Sequence, residues 1–146
     1  MGAALAEQGR LEEAIGYYTK LLKLKPNSAK AHYNLGLLYS NQNRLEEALG
    51  HFAAALRTNP AYQDAYNARG AALTRLNRLD EAIRHFQLAL QLNPDFAGAH
   101  NNLGIALARS GLLEDAAGHF QAALRIDPGF VSAHNNLNKI LALRPD

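Results

Sequence analysis

The sequence predicts an all-α solenoid, a stack of helix pairs, from three observations. Pro26, Pro60, Pro94 and Pro128 follow one another at 34-residue intervals, and a fixed period of that size marks stacked repeats. The series Gly2, Gly36, Gly70, Gly104, the series Ala14, Ala48, Ala82, Ala116 and the aromatics Tyr18, Phe52, Phe86, Phe120 keep the same step. Within each unit, apolar or small residues recur in two runs at the period of a helix. Much of the 48% hydrophobic content is Ala and Leu, both strong helix formers.

Taken in order, residues 1–28 are expected to hold half of a first helix around Gly2 and then a full second helix. Residues 29–62, 63–96 and 97–130 are full units of a single domain spanning 1–146. In the first of them, Ala31, Leu35, Leu38 and Tyr39 line one face of a first helix. Asn43 ends it, in a slot that Gly9, Asn77 and Gly111 fill elsewhere, and these residue types tolerate the left-handed backbone of a helix end. A second helix begins near Leu45 with Ala48, Leu49, Phe52 and Leu56 down one side. The acidic pairs in its first turn, Glu46-Glu47 and their counterparts Glu12-Glu13, Asp80-Glu81 and Glu114-Asp115, suit the positive end of the helix dipole and read as structural, not catalytic. The prolines stop each second helix, and Asn59, Asn93 and Asp127 suit the turn. Residues 131–146 form a lone capping helix stopped by Pro145, which covers the apolar face of the last full unit.

Composition removes several classes of function. No cysteine is present, which excludes disulfides, thiolate catalysis and cysteine-ligated metals. A formal charge of +2 from 15 basic and 13 acidic residues gives no electrostatic case for polyanion binding, so nucleic acid is an unfavoured partner. Apolar runs such as Phe52–Leu56 fall far short of the ~20 residues that cross a bilayer, Glu7 and Arg10 interrupt any leader-like run, and Ala6 spoils a myristoylation motif. The expectation is a soluble chain, cytoplasmic by default. No nucleophile motif or phosphate loop appears; the expected protein is not an enzyme, takes no cofactor and has no small-molecule substrate.

The residues resemble the tetratricopeptide repeat, whose pattern is Trp-x2-Leu-Gly-x2-Tyr, Ala-x3-Phe and Pro. The matching slots hold His32, Leu35, Gly36, Tyr39, Ala48, Phe52, Ala55 and Pro60, and again His100, Leu103, Gly104, Leu107, Ala116, Phe120, Ala123 and Pro128. The resemblance implies a right-handed α-α superhelix whose first helices line a concave groove for extended peptides. Arg69 departs from the pattern by occupying a Leu slot, and it is expected to snorkel outward on its stem. Asn138 occupies a Gly slot in the last helix, where close backbone approach is no longer needed.

Candidate binding residues follow on the first-helix face: Asn34 and Asn41, then Asn67 and Arg75, then Asn101, Asn102 and Arg109, then Asn135, Asn136 and Lys139. An asparagine side chain offers donors and an acceptor that match a peptide bond. Asn34, Asn102 and Asn136, with Ala68 breaking the row, resemble the asparagine ladder of the O-linked N-acetylglucosamine transferase superhelix. The rival reading has these side chains bonding neighbouring helices or water. The chaperone-binding clamp is rejected because Tyr33 and Leu37 stand where it wants Lys and Asn, which leaves Arg75 and Arg109 to meet an acidic peptide.

The histidines His32, His100, His134 and His51, His85, His119 are read as packing or surface residues, since equivalent positions lie a whole repeat apart; no metal is expected. The expected function is a protein-interaction scaffold binding an extended peptide or a partner helix. The alternative is a substrate-recruiting segment of a larger enzyme such as a glycosyltransferase, motivated by the ragged start. The apolar edge near Leu5, Leu11 and Ile15 motivates end-to-end self-association as a further expectation.

Overall fold

Each 34-residue unit folds as an antiparallel helix pair because its two amphipathic runs are separated by a residue able to reverse the chain. The computed structural model describes residues 1–143, which form α1 (Gly2–Glu7), α2 (Leu11–Leu24), α3 (Ala29–Asn41), α4 (Leu45–Thr58), α5 (Gln63–Arg75), α6 (Leu79–Leu92), α7 (Ala97–Arg109), α8 (Leu113–Ile126) and α9 (Val131–Ala142). No strand occurs among the described residues. Pro145, expected to stop the last helix, lies outside them.

The turns behave as their residue types require. Asn43 and Asn77 both adopt φ of 60°, and Gly9 and Gly111 adopt 75° and 83°, so the left-handed slot is real in every unit. After α4, α6 and α8 an Asx side chain closes the turn, with Asn59 Oδ1 accepting from the Ala61 amide, Asn93 Oδ1 from the Asp95 amide, both at 3.1 Å, and Asp127 Oδ1 from the Gly129 amide at 3.0 Å. Ser28 caps α3 by accepting from the Ala31 amide.

The pair is locked by one aromatic ring lying on one glycine. A Cβ built on Gly36, Gly70 or Gly104 would fall 2.6 Å from the ring of Phe52, Phe86 or Phe120, respectively. Only a residue without a side chain lets the second-helix ring lie flush on the first-helix backbone. Gly2 stands in the same relation to Tyr17 and Tyr18. The three phenylalanines are at most 1% exposed, and Ala48, Ala82 and Ala116 are fully buried beside them. Asn138, in the last Gly slot, is exposed, as expected where no second helix presses on it among the described residues.

The units stack through a continuous core that runs from Leu45 to Ile140, with α9 contributing Leu137 and Ile140 as its lid. A second set of contacts fixes the stacking register. Arg75 Nη1 donates to the Ser40 carbonyl at 2.9 Å, and its Nη2 donates to Asn43 Oδ1 at 2.8 Å. Arg109 repeats this one unit later, on the Thr74 carbonyl at 2.6 Å and Asn77 Oδ1 at 2.9 Å. Each guanidinium thus adds a second hydrogen bond to a carbonyl that already accepts from the Asn43 or Asn77 amide, at the negative end of that helix dipole. The choice between Asn and Gly in the left-handed slot follows the arginine: where the next unit offers Asn41 or Leu143 instead of Arg, the slot holds Gly9 or Gly111.

Replacing Phe86 with Ala is expected to cost ~3–5 kcal/mol in urea denaturation, the scale for a fully buried aromatic. In a double-mutant cycle, Arg109→Ala and Asn77→Gly should show a coupling of roughly 0.5–1 kcal/mol; strictly additive effects would mean the contact does not hold the units together.

Candidate functional site

First helices of successive units touch one another directly, α3 with α5, α5 with α7 and α7 with α9, whereas each second helix packs on the following first helix. The tighter spacing on the first-helix side bends the stack, so those helices line its inner face. Small residues there, Ala68 and Ala71, pack against the core between them.

On this face the asparagines form ordered pairs across units. Asn102 Nδ2 donates to Asn67 Oδ1 at 3.0 Å, and Asn136 Nδ2 donates to Asn101 Oδ1 at 3.1 Å. Asn101 is only 5% exposed, so it supports Asn136 from beneath more than it faces solvent. Asn34 is half-buried beside the Tyr18 hydroxyl, whose pKa burial raises and this neighbour lowers. Asn41, Asn135 and Lys139 are exposed, and Arg75 and Arg109 are exposed but tied back to the preceding unit. The structure therefore brings Asn67, Asn101, Asn102 and Asn136 together and leaves Asn41, Asn135 and Lys139 apart from them.

Tyr33 occupies the position equivalent to Asn67 and Asn101 and was not among the sequence candidates. It packs on Tyr62 at 4.9 Å between ring centroids and on Phe52 at 6.1 Å. Burial, with Asp64 and Tyr62 adding to it, pushes its hydroxyl up to about 12, so it remains a donor. Tyr62 precedes α5 in an aromatic slot that Phe96 and Phe130 repeat at 34-residue steps before α7 and α9, a periodic signal that was available for it.

Four of the histidines pack against one another in pairs. Equivalent histidines are a unit apart, but within one unit His32 meets His51, Nδ1 to Nδ1 at 3.1 Å, and His100 meets His119 at 3.0 Å. The Pro26 and Pro94 carbonyls, which can only accept, lie 3.0 and 2.9 Å from Nε2 of His32 and His100. Those nitrogens carry the protons, so His51 and His119 must donate from Nδ1. For the His100 pair the ring centres are 5.3 Å apart. With a ring nitrogen about 1.15 Å from its centre, that spacing needs both lone-pair axes along the N···N line, the arrangement of a shared proton. Ligation of one ion at ~2.0–2.1 Å with the same N···N spacing would bring the centres to about 4.7 Å. No group of three or more potential metal ligands occurs among the described residues. The recurring 19-residue spacing of His32/His51 and His100/His119 was the available signal for these pairs.

The fold is thus a stack of helix pairs with an asparagine-lined inner face. Models of the TPR repeat match residues 2–43 and 70–111, and tetratricopeptide-repeat models match 29–62 and 97–130. The chain belongs to the tetratricopeptide-repeat family. Among solved structures it is similar to MamA, at 25% identity and a TM-score of 0.88 over 97% of this chain and 83% of that one. It is also similar to YrrB, described as a TPR protein with an unusual peptide-binding site, at 30% identity and a TM-score of 0.79 over 97% of this chain and 73% of that one. The first TPR of Spaghetti, solved with the HSP90 peptide SRMEEVD, matches at 25% identity and a TM-score of 0.76 over 78% of this chain and 90% of that one. A peroxisomal targeting signal receptor of Candida albicans is 51% identical over 37 residues, 25% of this chain and 6% of the receptor. TPR proteins of this kind include peptide binders, and the chain is a protein-interaction module. No described helix is long and apolar enough to cross a membrane.

Burial first, then the partner histidine, lowers the pKa of His51 and His119, while burial and Arg69 lower His85 to about 4. Unfolded imidazoles protonate near pH ~6.5, so below that value the unfolded chain binds more protons. Stability should be full above pH ~6.5 and fall as the pH drops through the folded values. Urea midpoints measured across this range should decline, and His85→Gln should lessen the decline; a flat profile would contradict the buried neutral state.

Proposed function

We propose that the inner face binds an extended peptide of a partner protein, held through its backbone by the two asparagine pairs. The observation that carries this reading is the pre-positioning of Asn102 on Asn67 and of Asn136 on Asn101. Each contact uses one N–H of its donor and one lone pair of its acceptor. Asn102 and Asn136 therefore retain a second N–H and a whole carbonyl oxygen, the complement of a peptide bond. Fixing these amides before the ligand arrives reduces the ordering cost of binding.

Between the asparagines, Leu37, Ala71 and Ile105 give the face a half-buried apolar floor that accepts small or aliphatic side chains. Backbone contacts with such a floor hold a chain in extended form without demanding one sequence. The described polar groups act in recognition, and the module itself is non-catalytic.

The likeness to YrrB and to the Spaghetti domain supports a peptide as ligand, since those proteins are described as peptide-binding or solved with one. The row Asn34, Asn102, Asn136 supports a ladder-like mode. Because Tyr33 and Leu37 replace the Lys and Asn of a carboxylate clamp, contact along the peptide backbone is favoured over capture of its C-terminus.

The test is selection of linear peptides from a displayed library on the full chain, followed by titration calorimetry. Asn102→Ala with Asn136→Ala should weaken the selected peptides about tenfold or more, as expected for two lost hydrogen bonds, while circular dichroism stays helical. Unchanged affinity in the folded double variant would refute the asparagine mode.

A further inference from the structure

Of the second helices α2, α4, α6 and α8, the first three begin with the same ion pair. Arg10, Arg44 and Arg78 are their N-caps, and each grips the glutamate three residues on, Glu13, Glu47 or Glu81, by the edge formed by Nε and Nη2. The Arg10 and Arg78 contacts measure 2.6 to 2.8 Å. The series breaks at α8. Leu112 stands at its N-cap and Asp115 three residues on, one period beyond Arg78 and Glu81. The backbone is nevertheless the same, with φ and ψ of -86° and 67° at Leu112 against -89° and 66° at Arg78. Only the side chains differ, so a carboxylate remains where the guanidinium that meets it elsewhere has become leucine. Asp115 is exposed, and Leu112 is 49% exposed. The ion pairs among the described residues involve Glu13, Glu46, Glu47 and Glu81, and none of them Glu114 or Asp115.

A second replacement alters the space beneath. The Arg44 guanidinium lies over the Tyr39 ring, 4.3 Å from its centre. The counterpart of Tyr39 in α7 is Leu107, a smaller side chain. Leu107 lines a notch of about 510 Å³ between α6, α7 and α8, together with Gln87, Leu103, Glu114, Asp115 and Arg125. A cleft of that size suits a ligand group. Its floor is apolar and its two ends differ in charge, because Arg125 follows Asp115 by ten residues, ~15 Å along a helix.

We propose that this notch docks a partner protein through an arginine, whose guanidinium takes Asp115 from outside as Arg10, Arg44 and Arg78 take their glutamates within the chain. A carboxylate meets the Nε and Nη2 edge by two parallel bonds, a match that the point charge of lysine does not supply. An apolar residue beside that arginine rests on Leu112. Arg125 repels a cation at the far end, so the arginine is directed to the start of α8. Three units of the same chain thus define the ligand group, and the cavity beside the fourth gives it access. The notch lies between second helices, outside the inner face that the first helices form, so it acts independently of the peptide reading.

The test follows the backbone amide signals of Asp115, Gly118 and His119 by NMR in the full chain, at constant ionic strength, as acetyl-Leu-Arg-Leu-amide is added. These signals should move saturably. Leu112→Arg restores the residue of the other units and supplies the guanidinium from within; it is expected to weaken binding about fivefold or more while circular dichroism stays helical. Asp115→Asn should weaken it likewise. The lysine counterpart of the probe should bind less tightly, and equal affinity would overturn the choice of a guanidinium. No saturable movement, or unchanged affinity in either variant, would make the acidic turn of α8 a solvated helix end and overturn the proposal. Asn102→Ala with Asn136→Ala should leave the titration unaltered; loss of binding there would place the probe on the inner face and also overturn it.

Discussion

The contact between a glycine backbone and an aromatic ring is the constraint on which this molecule depends. At 2.6 Å from where a Cβ would stand, the rings of Phe52, Phe86 and Phe120 leave no room for any side chain at Gly36, Gly70 and Gly104. That closeness sets the distance between the two helices of a unit. With the distance fixed, the alanines at Ala48, Ala82 and Ala116 fall into full burial, and the next first helix can lie on the exposed side of the second. Stacking then follows from one local packing rule applied repeatedly, as expected of a solenoid in which each unit meets only its neighbours.

The polar contacts between units have a different role from the core. Hydrophobic burial is indifferent to small rotations, whereas the Arg75 and Arg109 contacts and the asparagine pairs are directional. They select one rotation between successive units and hence the curvature of the inner face. The asparagines serve structure and recognition together, since an amide has more hydrogen-bonding capacity than one contact consumes. The rival reading of these residues, in which they bond neighbouring helices, is thus part of the same arrangement.

The middle unit breaks the pattern where its neighbours keep it. Tyr66 replaces a histidine and Arg69 replaces a leucine, and in place of the His–His contact of the flanking units His85 stacks on Tyr66 with its Nδ1 left without a protein partner. Repeats that share a scaffold can differ in this way at little cost to their neighbours, because each departure stays within one unit.

The period, the helix pairs, the glycine and aromatic series and the left-handed turns were legible in the sequence because each depends on residues within about one unit of chain, whereas the contact of each ring with its glycine was read from the structure. The His32–His51 contact was legible too, through its 19-residue spacing, but comparing equivalent positions between units hid a meeting that occurs inside one. Only the tertiary structure decided that Asn102 reaches Asn67, that Asn136 reaches Asn101 beneath the surface, and that Arg75 and Arg109 are held back from the face they had been assigned to. Those contacts depend on the rise and rotation from one unit to the next. That geometry is set by the summed packing of whole helices, and no spacing along a single chain encodes it directly.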